Sequence, residues 1–165
     1  MNPKKTARKR KFTRIVLGDV VEIKVRCGLA YAQYVNYHRQ RPVLGELVRV
    51  LPGIYKCRPK DFGNLVAGKE RFYAFYPVGP AVTRHLVRIV AHQAIPERCR
   101  KFPVFKDCNE NYETGDKTWY LWDGKKEWRL GRMSAKVRDY PIAEVISHGV
   151  LVERIETGWS PADEV

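Results

Sequence analysis

At 165 residues the chain holds one domain's worth of core, and its 44% hydrophobic and 30% charged residues are ordinary globular values. The length excludes a barrel of eight βα units, which needs about 250 residues, and no apolar run approaches the roughly 18 residues of a membrane span. Lysine and arginine number 31 against 18 acidic residues, a net charge of +13, so anions are attracted and polycations repelled.

The charge is uneven. Residues 1–14 carry Lys4, Lys5, Arg8, Lys9, Arg10, Lys11 and Arg14 with no acid, which is seven of the thirteen net charges. This stretch reads as a disordered basic tail whose contacts with nucleic acid are non-specific. It also lacks the apolar segment of a secretion signal, so a soluble, cytoplasmic protein without membrane association is expected.

From Asp19 the apolar residues alternate. Val21, Ile23 and Val25 share one face and Glu22, Lys24 and Arg26 the other, as in a strand with one wet side. Cys27 is expected to continue the apolar face. Gly28 turns the chain, and Leu29 to Tyr37 completes a hairpin. Leu44 to Leu51 reads as a third strand, closed by Pro52-Gly53. Residues 54–68 show no period and read as an irregular loop. Arg71 to Tyr76 is a short aromatic strand, Ala81 to Arg84 one helical turn, and 84–95 a strand ended by Pro96.

Residues 97–116 read as a long surface connection. The strands 118–122 and 127–130 flank Asp123-Gly124, a tight hairpin signal. Ser134 opens a short helix to Tyr140. The stretches 142–147 and 150–155 read as a second hairpin turning on His148-Gly149, and 161–165 as a frayed end. About eight strands and one or two short helices make a mostly β domain over 15–160, a curved antiparallel sheet or barrel.

Chemistry-bearing residues are scattered. Cys27, Cys57, Cys99 and Cys108 lie 30, 42 and 9 residues apart, with neither a CxxC pair nor a zinc-knuckle spacing. His38, His85, His92 and His148 form no HxH or HExxH, so no metal motif supports a divalent cation and no cofactor is assigned. Cys57 lies between Lys56 and Arg58, cations that favour the thiolate of an exposed cysteine. Cys99 is set among Arg98, Arg100 and Lys101 in the same way. A histidine beside such a thiol, or beside a bound water, serves as general base. On a strand, His85 and His92 point to opposite faces. His38 and His148 read as solvated loop and turn residues. Trp119 and Trp128 read as core, whereas Trp122, next to the exposed turn, is the better candidate for ligand contact.

Several segments carry a resemblance. The opening Gly18-Asp19-Val20-Val21-Glu22-Ile23 with Gly28-Leu29-Ala30-Tyr31-Ala32-Gln33-Tyr34 resembles that of the immunity-26 family of bacterial polymorphic toxin systems, a family also named for the small phosphotriesterase HocA. Further matches are Arg71 to Pro77, Val87 to His92, Trp119 to Gly124 and Glu153 to Trp159. The resemblance implies a mainly β domain that either binds and neutralises a toxin or hydrolyses an organophosphate triester. It brings no assignment of catalytic residues.

Charge separates the two roles. A strongly basic chain is a poor match for a basic nuclease toxin, while cations such as Arg39, Arg41, Arg58 and Arg88 suit the negative charge that develops on a phosphoryl oxygen. The expectation is therefore a phosphotriesterase, with Cys57, His85 and His92 as catalytic candidates and Arg58, Arg88 and Trp122 as substrate contacts. A thiol route uses Cys57 or Cys99 with a histidine base, and a single-metal route uses His85, His92 and a carboxylate such as Asp61. Neutralisation of a cognate toxin is the second expectation, and non-specific nucleic-acid binding through the tail the third.

Overall fold

A computed structural model describes residues 14–130 and 133–164. The basic stretch 1–13 lies outside them. The described residues build eight antiparallel strands in two sheets, with short helices between them. The larger sheet runs β4 (Phe72–Phe75), β3 (Gly45–Val50), β2 (Gly28–His38), β1 (Asp19–Val25), β5 (Val87–His92), and the smaller β6 (Phe105–Glu110), β7 (Lys117–Trp122), β8 (Glu127–Arg129). Neither sheet closes into a barrel. No helix among the described residues is long and apolar enough to cross a membrane.

The β1–β2 hairpin forms where alternation and Gly28 place it, but β1 is not wet on one side. Val20 and Glu22 are as buried as Val21 and Ile23, and only Lys24 towards the strand end is exposed. The reason lies in 54–68, read as loop, which instead carries α1 (Phe62–Ala67). Asp61 caps this helix, its Oδ1 accepting from the backbone N–H of Gly63 at 2.8 Å. Phe62, Leu65 and Val66, spaced three and four apart, then pack with Val20, Tyr31 and Leu51 on that second face. Cys27 does not continue the apolar face. It is exposed in the two-residue turn.

The other face holds the main core: Val21, Ile23, Ala32, Val48, Val50 and Phe72 pack under α2 (Val78–Thr83) and α5 (His148–Thr157). Helix α5 replaces the hairpin expected over 142–155. Ser147 caps its start, Leu151 and Ile155 bury one stripe, and Gly158, in the left-handed region at φ 74°, ends it. Each of those two side chains contributes about 1.5–3 kcal/mol of burial, which the tertiary stripe gains only in a helix.

The connection 97–116 is also more ordered than its polarity suggests. It holds α3 (Glu97–Arg100) and all of β6, whose Phe105 joins Val35, Leu47, Phe75 and Trp122 in a cluster linking the two sheets. Lys106 beside it is fully buried, and its Nζ donates to the carbonyls of Arg138, Pro161 and Glu164 at 2.9, 2.6 and 2.7 Å. Residues 161–164 are thus pinned rather than frayed, with a 3-10 turn at Pro161–Asp163. With α4 (Ala135–Arg138) the described residues hold five short α-helices, more than the one or two expected.

Candidate functional site

Of the six residues singled out by sequence, the structure brings only some into chemical relation. Cys57 is exposed between β3 and α1, and it has no hydrogen bond to a histidine among the described residues. Its neighbour Arg58 is committed elsewhere: Nε and Nη2 donate to Glu22 Oε2 and Oε1 at 2.7 and 2.9 Å, in a two-pronged ion pair. Tyr31 donates its hydroxyl to Glu22 Oε2 at 3.2 Å. The Arg58 hydrogen bonds hold the Glu22 carboxyl below the usual carboxylate range, and Arg88, opposite Glu22 in the β1–β5 register, lowers it further. Burial, reinforced by the Glu22 charge, pushes the Tyr31 phenol up to about 12. This cluster is a closed structural lock.

His85 is not on a strand. It follows α2 at φ 58°, exposed. Trp122 is no surface contact either: at 9% exposure it is part of the cluster between the sheets, while Trp128, read as core, is exposed, and Trp119 lies half-buried under Lys106 Nζ at 5.3 Å. Alternation explains the reversal. Trp122 pairs with Phe105 across β6–β7 and so faces the core, and Trp128, opposite Leu121 on the short β8, does not reach it. Cys99 is buried, with its thiol 3.6 Å from Glu70 Oε2. Glu70 also receives fully buried Arg49, which bonds Gln33 Oε1 at 3.0 Å and the carbonyl of Val66. Burial and the Cys99 thiol together raise the Tyr73 phenol well above its usual value. Asp61 serves α1 as its cap, and no group of three or more His, Cys, Asp or Glu side chains suited to a metal ion occurs among the described residues.

His92 is different. At the end of β5, in register with Asp19 on β1, its Nδ1 lies 2.8 Å from Asp19 Oδ1. Asp19 is fully buried, and its second oxygen accepts from the Val16 N–H at 2.9 Å, whereas the His92 side chain is 46% exposed. The carboxylate fixes the Nδ1–H tautomer and leaves Nε2 with its lone pair. Gly18 makes this approach feasible: at φ +94° a Cβ would lie 2.7 Å from the Gln93 carbonyl and 3.1 Å from His92 Cε1. Sequence reading found His92 but not Asp19, 73 residues away.

His38, read from the sequence as a solvated loop residue, is placed differently. Far from solvated, it is buried at the end of β2, its ring 4.8 Å from that of Trp122 and 5.6 Å from that of Phe102. Nε2 lies 3.0 Å from the Gly124 carbonyl, while Nδ1 is buried without a hydrogen-bond partner among the described residues. Such an atom costs about 1–3 kcal/mol relative to a satisfied one. The flanking Arg39, Gln40 and Arg41 hid it in the sequence; the aromatic partners come from the other sheet. His148 too is no turn residue: it begins α5, with Nδ1 2.9 Å from the Tyr76 hydroxyl, and burial lowers its pKa.

The fold and these sites define a mostly β domain in which half-exposed His92 meets Asp19, His148 meets Tyr76, and buried His38 has one ring nitrogen paired and one not. No family model, curated protein or solved structure matches the chain.

Proposed function

We propose that the protein hydrolyses phosphotriesters, with His92 as general base and Asp19 as its positioning residue. The observation that carries this reading is the 2.8 Å contact between buried Asp19 and half-exposed His92. His92 Nε2 takes a proton from water as its oxygen attacks phosphorus, the bond from phosphorus to the leaving group breaks, and the products are a phosphodiester and the departing alkoxide or phenoxide. A positioned general base is worth roughly 10²–10⁴-fold in rate, and Asp19 supports it by stabilising the imidazolium that forms. Cys57, exposed and unpaired with any histidine, has no part in this route.

The test is turnover of a chromogenic phosphotriester by the purified chain and its His92→Gln, Asp19→Asn and Cys57→Ser variants. Loss in the first two with Cys57→Ser active supports the reading. Equal turnover in all four, or loss only in Cys57→Ser, removes it.

Neutralisation of a toxin is the second reading, supported by large apolar side chains exposed on a basic surface, among them Tyr37, Val43 and Trp128. Aromatic residues of this kind anchor protein interfaces. A stoichiometric complex with a toxin encoded beside this chain, weakened by Tyr37→Ala or Trp128→Ala, would favour it.

A further inference from the structure

Beyond the His92 site, a cavity of about 260 Å³ lies between the β2–β3 turn and the smaller sheet. Strand register decides what the sheet presents to it. Phe105 and Asp107 are two apart on β6, Trp122 lies opposite Phe105, and Glu127 lies opposite Trp122, so Asp107, Trp122 and Glu127 share one face. Phe105 and Trp122 pack with Leu47 and Phe75, which makes it the face turned to the larger sheet. Pro42 and Leu44 line the cavity from the turn, and Arg41 and Lys125, both exposed, complete the lining with Ala143.

Two cations and two carboxylates thus line a single cavity, and no ion pair joins any of them among the described residues. Asp107 is half-buried. Its Oδ1 accepts from the Cys108 N–H at 2.8 Å, and its Oδ2 has no hydrogen-bond partner among the described residues. On a chain of net charge +13, a site for a plain anion would be lined by cations alone, whereas this lining sums to zero with both signs present. The rest of the lining is apolar, the usual make-up of a small-ligand site in which a few polar groups fix orientation. We propose that the cavity binds a small apolar zwitterion, an aliphatic amino acid or dipeptide: Asp107 takes its ammonium, Arg41 and Lys125 its carboxylate, and Leu44 and Trp122 its aliphatic side chain.

The experiment is a calorimetric titration of the full chain with leucine and leucyl-leucine, each also in its N-acetyl and C-terminal amide form. Saturable binding of at least one free zwitterion is expected, and the tighter of the two gives the span between the charged groups. Blocking either end should weaken binding at least tenfold. Asp107→Asn, which keeps the Oδ1 acceptor for Cys108, should weaken the zwitterion at least tenfold and remove its advantage over the N-acetyl form. Arg41→Gln with Lys125→Gln, both at exposed positions, should do the same relative to the amide. No saturable binding of either zwitterion, equal affinity for a blocked form, or unchanged affinity in either variant would overturn the proposal.

Discussion

Arg49 and His38 are both buried polar side chains on adjacent strands of one sheet, and they are treated in opposite ways. Around Arg49 the polar groups are accounted for: Gln33, Glu70 and the carbonyls of Val66 and Gly68 take its donors, while Gln33 in turn reaches the Gln93 carbonyl at 2.9 Å. Around His38 one ring nitrogen is paired and one is not. The first arrangement ties α1 and the chain leading into β4 to the sheet, and its geometry leaves nothing for a ligand. The second keeps a polar atom unsatisfied in the interior between the two sheets.

The largest effect is expected at Arg49. Replacing it with Met leaves the buried Gln33 side-chain oxygen without its donor and takes from Glu70 one of its two arginines, and stranding such acceptors costs about 3 kcal/mol. Urea unfolding should show that loss; a change below about 1 kcal/mol would mean the network is not tight. Gly124→Ala comes next. At φ +93° its Cβ would lie 2.8 Å from Phe102 Cε1, so strain and collision together cost about 1–3 kcal/mol.

A smaller effect concerns the lock at Glu22. Its carboxyl titrates below the ordinary 4.5 because of Arg58, so the ion pair stabilises the fold fully above that value and the contribution disappears as pH falls through the lowered one. Arg58→Gln should therefore be less stable than the parent at pH 7, by about 1–2 kcal/mol, and the gap should narrow towards pH 3. A gap that stays constant with pH would assign the loss to packing. Smallest of all is His38→Phe, which removes an unpaired nitrogen along with the Gly124 contact. The two roughly offset, leaving stability within about 1 kcal/mol of the parent. Loss above about 3 kcal/mol would place His38 with Arg49 as a structural residue.

Much of the larger sheet and one hairpin of the smaller are legible in the sequence because their strands carry their own signals: alternation in β1, Gly28 at the first turn, Pro52-Gly53 after β3, and, in the smaller sheet, Asp123-Gly124 between β7 and β8. Helix α5 was not legible because Val150, Val152 and Ile155 favour strands locally. Its helical cues, the Ser147 cap, the Leu151–Ile155 spacing and Gly158, gain their weight only against the core. Strand β6 was hidden by Lys106, Asp107 and Asn109, since nothing local predicts that a lysine is buried on three distant carbonyls. The candidate sites failed for the same reason. His92 was visible as a base, but Asp19 becomes its partner only through β1–β5 register, and His38 is buried by rings from the far side of the molecule.

In the proposed reaction His92, oriented by Asp19, activates water against a phosphotriester. The most direct test is the pH profile of chromogenic triester turnover for the parent, Asp19→Asn and His92→Gln chains. The prediction is a rate at least 10²-fold below the parent's in His92→Gln across the profile, and an intermediate rate in Asp19→Asn. Turnover by His92→Gln equal to the parent's, or none by any of the three, would contradict it.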